Sequence, residues 1–208
     1  MASEPTQPPR RLPTDTDDGL LLIISGPSGV GKTTVTRGVE RSISDAVFSV
    51  SCTTRPKTPQ DVEGVDYHFC SDEEFEAMKA TGDFLETAGV YGKKYGTPKR
   101  WVVEQLRRGR VVILEIDVVG ASSVKLQIPD ALAIFILPPS EDVLLQRLRD
   151  RKRDTEEQIA RRFAAAKNEI SLAKSSGVYD EFLVNQHLDE TVTRATEIVH
   201  QRRSRGRG

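Results

Sequence analysis

The 208 residues carry a formal net charge of -1 with 29% charged side chains, so nothing global draws the chain to nucleic acid or to a membrane surface. The length suits one well-buried α/β domain with small inserted lobes and is short for two independent ones. Cys52 and Cys70 lack metal-ligand spacing, and neither a membrane span nor the apolar core of a signal peptide is visible; reduced thiols in a cytoplasmic protein are expected.

Residues 1–18 are rich in Pro, Thr, Asp and Arg without apolar spacing, which predicts a disordered leader. Residues 20–25 form a continuous apolar run, the pattern of a central parallel strand covered on both faces. The run feeds Gly26-Pro27-Ser28-Gly29-Val30-Gly31-Lys32-Thr33, and a helix is predicted from Lys32 through Thr34 to about residue 42. Each part of this motif has a mechanical purpose. Glycines let the backbone turn its N–H groups inward as a cradle for anionic oxygens. Lys32 reaches the outer phosphates as a point charge, the Thr33 hydroxyl holds a magnesium ion between them, and the helix points its positive end at the same place.

A second strand is predicted at residues 46–50, delivering Ser51-Cys52-Thr53-Thr54-Arg55-Pro56 to the sheet edge where open α/β folds bind ligands. From 51 to 98 the pattern changes. Short strand-like pieces at 66–70, 84–90 and 94–97 surround one helix at about 71–80, with Ser71 and Glu74 forming a capping box and Gly82 stopping it. That is too much mixed structure for a loop, so an inserted lobe is expected. A helix at 101–108 leads to a strand at 111–117 that ends in two acids, Glu115 and Asp117. Another buried strand spans 131–137, and Ser140 caps a helix to about 150. Residues 147–162 are densely charged and too polar for core; a helix continues from 155 to about 174, followed by a short strand at 181–185 and an amphipathic helix at 188–203. The end, 201–208, is basic and glycine-containing, and a solvated tail is expected there.

Strands alternating with helices behind a phosphate loop predict a P-loop NTPase-type parallel sheet flanked by helices. The mixed lobe adds an acceptor site, placing Arg55, Tyr67, Glu86, Tyr95 and Thr97 in polar turns or strand ends. The arginine-rich stretch suits a helical lid that supplies charge and excludes water, so that transfer goes to an acceptor rather than to solvent. An exposed helix face laced with Glu and Arg pairs is the competing reading of that stretch.

Several motifs in this order resemble the guanylate kinase family over nearly all of the chain from Leu20 to about His200: the phosphate loop, Ser51-Cys52-Thr53-Thr54-Arg55, Gly64-Val65-Asp66-Tyr67-His68-Phe69, Phe84-Leu85-Glu86, Tyr95-Gly96-Thr97, Ile116-Asp117-Val118-Val119-Gly120 and Val184-Asn185. The resemblance implies transfer of the terminal phosphoryl group of ATP to GMP with magnesium, in purine nucleotide metabolism. Carried over position by position, it implies that residues 26–34 and Asn185 bind ATP. Ser51, Glu86, Thr97 and Asp117 read guanine. Arg55, Tyr67 and Tyr95 hold the GMP phosphate, and Lys32, Arg55, Arg147, Arg151 and Arg162 carry the chemistry. The base chemistry agrees, because a carboxylate accepts from guanine N1 and N2 together and a hydroxyl serves O6. Thr58 stands where the family usually has a second phosphate-binding arginine and Asp61 where it has Glu, which implies weaker GMP binding; Lys57 offers a point charge but no fork. After Arg151 a Lys152-Arg153 pair replaces a usual glycine. A peptide-binding module of the same fold, and a P-loop kinase for another small acceptor, remain alternatives; substrates are expected to be small molecules, without membrane or nucleic-acid partners.

Overall fold

The computed structural model describes residues 19–90, 92–150 and 155–205; the leader, Tyr91, residues 151–154 with the expected site residue Arg151, and residues 206–208 lie outside them. Two sheets are present. The larger is fully parallel and contains β1 (Leu20–Ser25), β2 (Ala46–Phe48), β7 (Val111–Glu115), β8 (Leu132–Leu137) and β9 (Glu181–Val184) in the order β2-β7-β1-β8-β9. The smaller is mixed, with β3 (Cys52–Thr53), β4 (His68–Phe69), β5 (Phe84–Val90) and β6 (Lys93–Pro98) in the order β4-β3-β6-β5. Helix α2 (Asp72–Ala80) belongs to this inserted unit, and its Phe75 stacks on Phe84 with ring centroids 4.6 Å apart.

Strand β1 lies mid-sheet, and its period-2 alternation divides the core. Leu20, Leu22 and Ile24 pack on one face against α1 (Lys32–Ser42) and α7 (Leu188–Arg205) through Val35, Val39, Ala195 and Val199. Leu21 and Ile23 face α3 (Lys99–Arg107) and α4 (Val118–Gln127) through Val102, Ala121 and Val124. Leu22, Ile23 and Ile24 are fully buried, each stabilising the fold by roughly 1.5–3 kcal/mol. Helices α5 (Glu141–Arg149) and α6 (Glu156–Ser176) complete the chain through Leu144, Leu148, Ile159 and Ala166.

The capping box at Ser71 and Glu74 forms as the sequence predicts, and Ser140 and Thr155 cap α5 and α6. Other readings differ. The second strand stops at Phe48, because after one more ladder bond from Ser49 N–H to the Ile113 carbonyl at 2.9 Å the chain crosses into the smaller sheet. Helix α4 has no counterpart in the sequence reading; its Val-Val-Gly-Ala-Ser-Ser run is weak in helix propensity, and Asp117 starts it by accepting from Gly120 N–H at 2.7 Å. Helix α7 runs through Arg205, two residues beyond its expected end at 203 and into the segment expected as a tail. Arg203 anchors it, donating to Asp45 at 3.0 Å and to the Gly109 carbonyl at 3.2 Å. Among the described residues no helix is long and apolar enough to cross a membrane.

Candidate active site

The carboxyl ends of β1 and β7 open into a cleft of about 710 Å³ between the two sheets, within the usual size range of ligand sites. One wall is the loop after β1. Gly29 and Gly31 both sit at φ +90°, a conformation L side chains rarely adopt. A Cβ on Gly29 would press on Leu148 at 2.9 Å and one on Gly31 on Asn185 at 2.8 Å. Gly31 precedes α1 without a side-chain cap, so the N–H groups of the first turn are available to an anion. Lys32 Nζ donates to the Gly26 carbonyl at 2.8 Å, folded back over the loop.

Three long-range bonds brace this loop. Asn185 Nδ2 donates to the Val30 carbonyl at 2.8 Å, and Arg147 donates to the same carbonyl at 3.2 Å and to the Asn185 carbonyl at 3.0 Å. Thr191 secures Asn185 in turn, its hydroxyl 3.2 Å from Oδ1. The bonds of Arg147 and Asn185 therefore go to the back of the loop. Arg162 comes from α6 to the front, donating to the Ser28 hydroxyl at 2.5 Å.

The opposite wall is built by the smaller sheet and by the start of α4. Ser51, Tyr67, Glu86, Tyr95 and Asp117 line the cleft together with the loop. Glu86 is 7% exposed and Thr97 1%; the Thr97 hydroxyl donates to Glu86 Oε1 at 2.6 Å from behind. Burial pushes the Glu86 carboxyl above the usual range, the Thr97 bonds oppose this, and the nearby Asp117 adds to it. Gly120 keeps this corner open, since a Cβ there would lie 2.9 Å from Glu86 Oε2. Arg55 is stacked beside the cleft, its guanidinium 5.1 Å from the Tyr67 ring and 5.4 Å from that of Phe69. Tyr67 meets Tyr95 edge-on at 5.6 Å.

Two acids here were not among the site residues read from the sequence. Glu115 Oε1 accepts from the Thr33 hydroxyl at 2.8 Å, while its Oε2 is buried without a hydrogen-bond partner. Its place at the end of β7 was the available signal. Glu169 on α6 lines the cleft seven residues, about two turns, after Arg162. Burial pushes its carboxyl up, Lys32 pulls it down and Asp117 adds to the rise. Among the described residues no group of three or more His, Cys, Asp or Glu could hold a metal. The Thr33 hydroxyl beside the unpartnered Glu115 Oε2 nevertheless fits magnesium, which takes few protein ligands when phosphates and water supply the rest.

Comparisons of the whole chain with known proteins agree on one family. The family model described as guanylate kinase matches residues 19–202. A guanylate kinase of Symbiobacterium thermophilum is 45% identical over 90% of this chain and 87% of its own length. One of Thermosynechococcus vestitus is 47% identical, over 84% and 90% respectively. The crystal structure of guanylate kinase from Anaplasma phagocytophilum superposes with a TM-score of 0.74 at 30% identity, covering 91% of this chain and 88% of that one. The chain belongs to the guanylate kinase family. As in the sequence resemblance, the guanylate kinase motifs fall on both walls of the cleft, the loop on one and Glu86, Tyr67 and Tyr95 on the other.

Proposed function

We infer that the chain catalyses transfer of the γ-phosphoryl group of ATP to GMP, giving ADP and GDP. The observation that carries this reading is Glu86, a buried carboxylate facing the same cleft as an intact phosphate loop. With Oε1 engaged by Thr97, Glu86 still has acceptor capacity for guanine N1–H and N2–H, and Ser51 and Asp117 complete the base site. Adenine presents a different donor and acceptor pattern and would leave the buried carboxylate facing an acceptor.

Arg55, Tyr67 and Tyr95 hold the acceptor phosphate, and the loop from Gly26 through Thr34 holds the donor phosphates. An oxygen of the GMP phosphate forms a bond to Pγ as the bond from Pγ to the β,γ-bridging oxygen breaks, and the electron pair leaves with ADP. No general base is required, because the nucleophile is already an anion. Lys32 and Arg162 stabilise charge on the transferring group, exchanging their bonds to the Gly26 carbonyl and Ser28 for phosphate oxygens. Arg147 and Asn185 serve ATP by fixing the Val30 carbonyl. Arg151 is proposed as a further lid cation from its sequence position alone. Magnesium bound with ATP would supply charge neutralisation to the phosphates, and Thr33 and Glu115 are the residues that would hold it. The unpaired thiols Cys52 and Cys70 suit the reducing cytoplasm.

A coupled ADP-release assay with GMP, AMP, dTMP and a ribose bisphosphate tests the reading. Turnover with GMP far above the others is expected. Preference for another acceptor overturns the guanine assignment, and turnover with none overturns the enzyme in favour of a binding module.

A further inference from the structure

Between β3 and β4 the chain closes a hydrogen-bonded unit around Arg55. Asp61 Oδ2 accepts from Arg55 Nη1 at 2.9 Å and Oδ1 accepts from Nη2 at 2.8 Å, a bidentate pair. The same Oδ2 accepts from the Thr58 N–H at 2.6 Å and from the Thr58 hydroxyl at 2.7 Å. The Asp61 N–H returns to the Thr58 carbonyl at 3.1 Å, so the turn that carries the carboxylate is itself closed. From the other side, the rings of Tyr67 and Phe69 support the flat guanidinium.

The donor count decides what this unit leaves available. A guanidinium has five N–H donors. Nη1 gives one to Asp61 and one to the Pro56 carbonyl at 3.2 Å, and Nη2 gives one to Asp61. Among the described residues, the Nε N–H and the second Nη2 N–H donate to no acceptor and lie side by side on one edge of the planar group. That edge is an intact fork for two oxygens of a phosphate. Asp61 and a phosphate therefore take different edges of one guanidinium and do not compete for it.

We propose that Asp61, braced by Thr58, is the positioning residue that aims the remaining edge of Arg55 at the phosphate of the acceptor nucleotide. This rests on the reading of the cleft as a GMP site. Thr58 is thus part of the acceptor site through the carboxylate it holds, although its own side chain is too short to make a phosphate fork. Without Asp61 the arginine side chain regains its rotamer freedom, which must then be lost on binding.

The test measures dissociation constants for GMP and for guanosine, which lacks the phosphate, in the wild type, Asp61→Asn and Thr58→Val. GMP turnover and melting temperature are recorded alongside. Asp61→Asn should weaken GMP about tenfold, in the range of one charge-assisted hydrogen bond, while guanosine affinity stays within about threefold. Thr58→Val should shift GMP in the same direction by less, about threefold for one neutral bond. Equal loss of GMP and guanosine would mean a merely structural role, and unchanged GMP affinity in both variants would mean none; either overturns the proposal. If Asp61→Asn does not fold, the GMP-to-guanosine ratio in Thr58→Val decides. A wild type that does not phosphorylate GMP fails the site reading itself, independently of the variants.

Discussion

Replacing Glu86 by Gln changes a single atom type at the buried carboxylate of the cleft wall facing the loop. The Thr97 hydroxyl donates to Oε1 at 2.6 Å, so the amide oxygen of Gln takes that bond and its NH2 group is turned to the cleft. Guanine N1–H and N2–H then face donors instead of a carboxylate. The loss of a charge-assisted bond costs about 1.5–3 kcal/mol, and desolvated donors left without acceptors cost a further 1–3 kcal/mol or so. With Glu86 only 7% exposed, water cannot repair the mismatch. A total of about 3–5 kcal/mol corresponds to a fall of roughly two to four powers of ten in kcat/KM for GMP. The assay is coupled ADP release with GMP and with IMP, which lacks the exocyclic amine; the variant should also lose most of the wild-type preference for GMP. The pH profile carries its own sign. Protonation removes the acceptor, and because burial raises the Glu86 pKa above its ordinary 4.5, the wild-type kcat/KM should fall with acid from a higher pH than an exposed glutamate would give. The phosphate of GMP ionises near pH 6 as well, so the limb assigned to Glu86 is the one missing from the Gln variant. A variant that keeps kcat/KM for GMP within threefold, or keeps the GMP preference, refutes the assignment of Glu86 to the base.

Three further outcomes follow from the loop and the acceptor turn. Lys32→Ala should lower kcat by about two to three powers of ten, with a smaller change in the ATP Michaelis constant, because its charge matters most as the phosphoryl group moves; a full-rate variant removes the phosphate-loop assignment. Gly31→Ala places a Cβ at φ +90° and 2.8 Å from Asn185 Nδ2, at a cost of about 2 kcal/mol in strain and disturbed bracing. Calorimetry should record a melting temperature about 4–8 °C lower for a domain of this size, with weaker ATP binding; an unchanged melting temperature contradicts the geometry. Thr58→Arg adds a second fork, worth about tenfold, and keeps the backbone N–H bond to Asp61 but loses the hydroxyl bond, worth about threefold, so the GMP Michaelis constant should drop about threefold overall. An unchanged constant shows that the arginine usual in the family has no vacancy to fill here.

The sequence by itself determined the local pieces. The run from Leu20 to Ser25 is one continuous buried strand, the glycine pattern after it sets two positive φ values, and the Ser71 and Glu74 spacing closes its capping box at 3.1 and 2.8 Å. Each of these is a short-range property, fixed by residues within a few positions of one another. Tertiary structure decided what has no local signature. Helix α4 forms from a poor helix sequence because Val118, Ala121 and Val124 are buried against the sheet and α6, and packing of an apolar face outweighs weak propensity. Thr33 meets Glu115 across 82 residues, Ser28 meets Arg162 across 134, and Val30 meets Asn185 across 155. Motif recognition reached Asn185 and Arg162, yet only the fold assigned Asn185 to the back of the loop and Arg162 to its front. Glu115 was visible only as a strand-end acid and Glu169 not at all, for the same reason: a carboxylate acquires a role when chain segments far apart in sequence bury it beside a cation, a hydroxyl or a vacant cleft, and spacing along the chain does not record that.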